Sequence, residues 1–238
     1  MSIIKLQNIY HSYDSKEVLQ DFSLDIEANK ITCLLGSSGC GKTTILRLIA
    51  GLEIPQKGQV FMEERRLSDS NQIIVPSHKR NLGYVFQDLA LWPHFSVFKN
   101  VAFGLEESGE KEVQHKVDEI LSFFDLQEHL QKYPHQLSGG QQQMLAIARS
   151  LVMKPKVLLM DEPLANLDVK LKRRILDYIQ EIKKQFEISI VYVTHDHREA
   201  FSISDQIVVM NKGEIEFQGG VEEVKSSENE FVKYFLEY

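Results

Sequence analysis

The sequence predicts an α/β fold, and three observations predict it. Near-continuous apolar runs at Ile31 to Leu35, Val157 to Met160 and Ile188 to Val193 have the character of strands buried on both faces of a parallel sheet. The first leads into the helix-like Thr44 to Ala50, and the second into Leu171, Ile175, Ile179, Ile182 and Phe186 at helical spacing. From Ala90 to Met153 the strand signal disappears, and segments such as Val113, Val117, Ile120, Leu121 and Phe124 repeat with helical period. Residues 1–89 and 154–238 therefore read as an α/β core and 90–153 as an inserted helical subdomain, within one domain 1–238.

Between the Ile31 to Leu35 run and its helix lies Gly36-Ser37-Ser38-Gly39-Cys40-Gly41-Lys42-Thr43. This is the G-x-x-x-x-G-K-[ST] phosphate-binding loop, in the strand, loop, helix setting that the motif requires. Its glycines allow successive N–H groups to converge on a β-phosphate, and the helix N-terminus adds partial positive charge. Lys42 is placed to reach β- and γ-phosphates, and the Thr43 hydroxyl suits a Mg²⁺ that bridges them.

In chain order, Ile4, Leu6, Ile9 and Tyr10 suggest a first strand, and Val18, Phe22, Leu24 and Ile26 a second. Tyr13, in the polar loop between them, reads equally as a face for stacking on a flat base or as a half-buried core tyrosine. Gly58 to Met62 and Leu82 to Phe86 are further strands, the latter ending at Gln87-Asp88, where α/β proteins place ligand groups. Three helices are expected at Ser96 to Leu105, Lys111 to Phe124 and Gln141 to Met153. Trp92-Pro93-His94-Phe95 forms a rigid apolar corner before them, which is either core or a docking surface. Ser138 N-caps the third helix behind Gly139 and Gly140; alone, this is only a capped helix start.

Val157 to Met160 ends in Asp161 and Glu162. Adjacent strand residues point to opposite faces, so Asp161 can serve a metal while Glu162 polarises an attacking water. Asp168 is the N-cap candidate of the next helix. His195 follows Ile188 to Val193, where it can donate to a γ-phosphate, although an isolated histidine there is more often structural. Ile207 to Phe217 reads as a hairpin turning at Asn211-Lys212-Gly213, and a short charged helical tail ends at Tyr238.

Composition narrows the class. With 238 residues, 43% hydrophobic and 26% charged, the chain is long enough for one large core with an inserted subdomain. A net charge of -7 argues against a broad nucleic-acid surface. Cys33 and Cys40 lie in the strand and the phosphate loop, where pairing would distort the motif, so reduced thiols in a cytoplasmic protein are expected. Neither a signal peptide nor the ~20 apolar residues of a membrane span is present, so any membrane association goes through a partner.

Taken together, these motifs resemble the nucleotide-binding subunit of ATP-binding cassette (ABC) transporters over essentially the whole chain. The resemblance implies a P-loop NTPase core with an N-terminal antiparallel β subdomain and an inserted α-helical subdomain bearing the signature sequence. It implies ATP and Mg²⁺ as cofactors. Tyr13 then looks like the adenine-stacking aromatic, and Gly36, Ser37, Ser38, Gly39, Cys40, Gly41, Lys42, Thr43 and Thr44 like Walker A. Gln87 is similar to the Q-loop glutamine that joins Thr43 and Asp161 at the metal. Leu137 to Gln141 resembles the signature, with Ser138, Gly139, Gly140 and Gln141 facing the ATP of a partner subunit. Glu162 looks like the catalytic glutamate, Asp168 the D-loop aspartate and His195 the switch histidine.

The family pairs two subunits head to tail with ATP between one P-loop and the other's signature helix. A homodimer is expected, together with membrane permease subunits and an extracytoplasmic binding protein, on the cytoplasmic face of a bacterial cell membrane. His78 to Gln87, Leu91 to His94, Asn100 to Leu105 and Tyr133 to Gln136 are further similar to importers of the iron(III), polyamine, thiamine, sulfate and molybdate type. The chain stops soon after its last core strand, so no C-terminal regulatory β-domain is expected. The competing reading is a non-transport cassette ATPase acting on nucleic acid or the ribosome. The former insert coiled coils, whereas Leu48 to Gln136 lacks sustained heptads; the latter carry two cassettes. Three positions depart from the family: Met144 for the usual arginine, Ala165-Asn166 for Ser-Ala, and His197 for glutamine.

Overall fold

The computed structural model describes residues 1–165 and 167–237. Strands β1 (Ser2–Tyr13), β2 (Lys16–Glu27) and β3 (Ile31–Gly36) are followed by helix α1 (Lys42–Ala50). Next come β4 (Lys57–Met62), β5 (Arg65–Asp69), β6 (Gln72–Ile73) and β7 (Leu82–Val85). Helices α2 (Val97–Glu107), α3 (Val113–Phe123) and α4 (Gly139–Leu151) precede β8 (Val157–Asp161), α5 (Val169–Phe186), β9 (Ser189–Thr194) and α6 (His197–Ile203). The chain closes with β10 (Gln206–Asn211), β11 (Glu214–Gly219), α7 (Val221–Lys225) and α8 (Glu230–Glu237).

Two sheets result. An antiparallel sheet is ordered β2-β1-β4-β5-β6, and a second sheet is ordered β11-β10-β3-β9-β8-β7. In the second, β10, β3, β9, β8 and β7 are parallel and only β11 is antiparallel. The phosphate loop, Asp161 and His195 therefore all leave the carboxyl ends of neighbouring strands β3, β8 and β9, which is how residues far apart in sequence come together.

Each parallel strand splits its side chains between two cores. Leu34, Leu159, Val191, Val193 and Val208 join α1 and the antiparallel sheet, whereas Cys33, Leu35, Leu158, Met160, Tyr192 and Val209 join the helices α2 to α6. The helical block consequently shares the sheet's lower core. Helix α1 lies in the upper core and has no apolar stripe of the surface kind: of its nine residues only Arg47 is exposed.

Arg80 anchors the far end of that helix. It is 2% exposed and donates to the carbonyls of Leu48 (3.0 Å), Ile49 (2.7 Å), Val75 (2.8 Å) and Leu67 (3.3 Å), and to the Ser68 hydroxyl (2.7 Å). The helix C-terminus supplies negative dipole where the charge is buried. Gly51 ends α1 at φ 75°, and a Cβ there would stand 2.5 Å from the Arg80 Cζ, so both conformation and space require glycine.

Most expected elements appear within a residue or two of their predicted ends, but three were not foreseen. β5 lacks a β-branched run and is drawn into extended form by its pairing with β4, burying Leu67 and Ser68, and β6 is only two residues long. Helix α6 is short and polar, and starts at the Asp196 cap, whose side chain accepts from the Arg198 N–H.

Candidate functional site

Helix α1 begins without a side-chain cap. Its N-cap is Gly41 at φ 108°, a conformation that side-chain-bearing residues rarely adopt, and among the described residues no side chain caps the N–H groups of the helix start. These donors and the positive end of the dipole face a cavity of about 350 Å³, lined by Tyr13, Lys16, Val18, Ser38, Gly39, Gly41, Lys42, Thr43, Thr44, Gln87 and Glu162. Lys42 is buried, with its ammonium on the carbonyls of Gly36 (2.8 Å) and Ser37 (2.9 Å) and 3.7 Å from the Cys40 sulfur. Gly36, Ser37 and Cys40 shape the loop from behind and do not line the cavity.

The two carboxylates diverge as strand geometry requires. Asp161 is buried, its Oδ1 accepting from the Thr43 hydroxyl (2.9 Å) and its Oδ2 from the Tyr84 hydroxyl (3.2 Å). Burial raises its pKa above the ordinary aspartate value, against the two hydrogen bonds that lower it. Burial, then the adjacent Asp161 charge, likewise pushes the Tyr84 phenol up. Hard oxygen donors on Thr43 and Asp161, beside Gln87, are the donor set that Mg²⁺ prefers, so the residues fit that ion. Glu162 leaves the strand at φ 42° and turns to the cavity, where its Oε2 meets the His195 Nδ1 at 3.2 Å.

Tyr13 is 38% exposed at the cavity's rim, so it is not part of the core. His11 holds it edge-on, with ring centroids 4.9 Å apart, and its hydroxyl donates to Glu53 at 3.4 Å. The signature segment lies elsewhere. Ser138 and Gln141 form a capping box, and a Cβ on Gly139 or Gly140 would touch Leu167 (3.6 Å) or Leu171 (2.6 Å), so this helix start packs on the segment around Asp168. Asp168 caps α5 by accepting the Leu171 N–H. The structure thus gathers Tyr13, the loop, Gln87, Asp161, Glu162 and His195, and leaves Ser138 to Gln141 and Asp168 outside the cavity.

The ABC transporter family profile matches residues 19–165, which include the loop, Leu137 to Gln141 and both carboxylates. The chain belongs to the ABC transporter family. It is 43% identical over 237 residues to the spermidine/putrescine import ATP-binding protein PotA of Vibrio cholerae, covering 98% of this chain and 62% of that one. It is 46% identical over 216 residues to the Fe(3+) ions import ATP-binding protein FbpC of Escherichia coli O157:H7, covering 90% and 61%. The chain therefore spans about three fifths of the length of these curated relatives. Among solved structures, cbiO1 from Clostridium perfringens, part of the ABC transporter complex cbiONQ, superposes with a TM-score of 0.84 at 30% identity, covering 99% of this chain and 95% of that one. The ATP-binding cassette MJ0796, a dimer bound to ADP and Pi, does so at 0.80 and 28%, covering 92% and 98%.

Within the ABC family this chain has its own features. Met144 is buried in the lower core, so the position where arginine is usual is apolar here. His197 opens α6 with its ring 5.8 Å from Phe201, and Asn166 lies outside the described residues. Cys33 is buried and its thiol is pushed up to about 12 by desolvation, which makes it inert. Sequence reading missed Lys16 at the cavity rim, Tyr84 under Asp161, and His129, whose Nε2 meets the Gln141 amide at 2.7 Å. None carries a local sequence signal, because each acts on a residue brought near only by the fold.

Proposed function

We propose that this chain is the ATP-hydrolysing subunit of an ABC importer. It binds MgATP between its own P-loop and the signature helix of a second copy, and drives solute uptake through a separate membrane permease. The supporting observation is the meeting of Glu162 and His195 at a cavity whose floor is Lys42, Thr43 and the open start of α1. Among the described residues no helix is long and apolar enough to cross a membrane, so the permease is a separate partner in this reading. By the names of its relatives, the cargo class is iron(III) or a polyamine, delivered by an extracytoplasmic binding protein, with the chain docked on the cytoplasmic face of the cell membrane.

In this reading Tyr13 stacks on the base, and the loop N–H groups with Lys42 hold the phosphates. Thr43 and Asp161, beside Gln87, would hold Mg²⁺, which would supply charge neutralisation for the phosphates. Glu162 takes a proton from the attacking water, and His195 donates toward the γ-phosphate while touching Glu162. Asp168 faces the opposite copy. The test is turnover and assembly: purified protein should hydrolyse MgATP and form an ATP-dependent dimer by size-exclusion chromatography. Salt-sensitive RNA or DNA binding without either would overturn the assignment.

The corner at Trp92 to Phe95 fits the permease contact. Trp92 and Phe95 are half-buried, their rings cluster with Phe103, and the buried Asn100 side chain bonds the backbone of Trp92, Phe95 and Ser96. Arg149 lies 4.9 Å over the Trp92 ring and donates to the Leu89 and Ala90 carbonyls, so the corner is rigidly joined to the segment after Gln87. Replacing Trp92 and Phe95 with alanine should abolish transport in vesicles carrying the permease while sparing basal ATPase activity. Retained transport would remove the corner from the interface.

Cys40 gives a chemical handle on the loop. Its side chain is 3% exposed, more buried than a reactive loop thiol would be, so alkylation waits on loop opening. Stoichiometric labelling at Cys40 should stop hydrolysis, and MgATP should slow the labelling. Full activity in the labelled protein would refute this.

A further inference from the structure

Glu199 is a carboxylate that the reaction above leaves unused, yet it is 6% exposed and fully engaged. Its Oε2 accepts from the hydroxyls of Tyr192 (3.0 Å) and Thr194 (2.8 Å) on β9, and its Oε1 from the Lys172 ammonium (2.7 Å) in the first turn of α5. Thr194 Oγ1 in turn accepts the Asp196 N–H at 3.0 Å. The backbone from Thr194 to Glu199 is therefore closed into a ring by the Glu199 carboxylate, and His195 is a member of that ring. The His195 side chain is 58% exposed, and Glu162 is the hydrogen-bond partner it has. Without the ring, little else would fix its direction.

Lys172 carries the ring to a second segment. Its backbone N–H donates to the Asp168 carbonyl (2.9 Å), one turn from the Asp168 side chain that caps Leu171 (3.0 Å). One carboxylate thus grips the turn holding His195 and the helix start holding Asp168. An ion pair with one buried member, as here where Glu199 is buried and Lys172 half-buried, is a poor route to stability, since apolar side chains of the same volume usually serve as well or better, while loss of the cation leaves the carboxylate unpaired. The charge of this pair is explained by what it joins.

We propose that Glu199 and Lys172 are positioning residues that set the His195 ring against Glu162 and couple its placement to Asp168. The pair rests on the proposed ATPase reading for its effect on rate, but not for its effect on His195. Glu199→Gln, Lys172→Met and the double variant should each melt as folded protein. Each should lose about ten-fold in kcat for MgATP, with KM and ATP affinity within about three-fold, and the double variant should be no slower than the worse single. Lys172→Arg, which keeps the charge, should restore most of the rate. In the same samples without nucleotide, the histidine-ring NMR signal of His195 should move in Lys172→Met. An unmoved His195 signal, a kcat within about two-fold of wild type in folded Lys172→Met, or multiplying losses in the double variant would each overturn the pair. A protein inactive from the start with a moved His195 signal would overturn the ATPase reading and leave the pair standing.

Discussion

Glu162→Gln should turn over MgATP about 10²- to 10⁴-fold more slowly than wild type, the usual cost of losing a general base. The amide keeps the carboxylate's size and reach but cannot take the water's proton. Binding should survive, because Lys42, Thr43, Asp161 and the loop N–H groups are untouched. Removing a negative charge from the cavity also lowers repulsion toward the triphosphate. The variant should therefore accumulate as an ATP-bound dimer, visible by size-exclusion chromatography with ATP and absent with ADP. Lys42→Ala removes the buried ammonium of the loop and should instead lose nucleotide affinity and show no dimer. Near wild-type turnover in Glu162→Gln would take Glu162 out of the mechanism.

The largest effect on stability is expected at Arg80. Arg80→Leu keeps much of the volume but strips donors from four carbonyls and the Ser68 hydroxyl. At about 1 to 3 kcal/mol per abandoned buried acceptor, partly relieved because Leu48 also accepts the Gly51 N–H and Leu67 the N–H groups of Ile74 and Val75, the loss should reach roughly 3 to 5 kcal/mol. That is on the order of a 10 °C fall in Tm for a chain of this size. Arg80→Lys should recover only part, because one ammonium cannot span acceptors from three segments. Burial lowers the guanidinium pKa to about 10, so it is still charged at neutral pH and every one of those acceptors is used. Denaturant melts in which Arg80→Leu loses under about 1 kcal/mol would show that water replaces the side chain.

Legibility in the sequence follows from distance along the chain. The loop from Gly36 to Thr44 and the strand-terminal Asp161-Glu162 pair could be read because each is a short contiguous pattern whose local geometry is its chemistry. Ser138 as a cap and Asp168 as a cap were read for the same reason, and both hold. Tyr13 could not be decided from residues, since exposure depends on what the fold places around it. Arg80 and the Lys172–Glu199 pair were invisible: Arg80 is buried against carbonyls as distant as Leu48, Glu199 meets Lys172 across 27 residues, and no short window of sequence contains both ends. The burial of Cys40 arises within the loop itself, from the close approach of Gly36 and Lys42 around its sulfur, a detail of loop conformation that the motif pattern does not specify.

Helix α1, wedged between two sheets with the phosphate loop at one end and Arg80 at the other, also bears on sequence drift. A surface helix offers mutation a whole solvent face on which to wander at no cost in packing. Here Arg47 alone is exposed, and even it pairs with Glu53 at 3.9 Å, while its neighbours on either side each touch a core or the site. Divergence among descendants of this chain should therefore run around this stretch and leave it as a fixed island, set by solid geometry as much as by the chemistry at its tip.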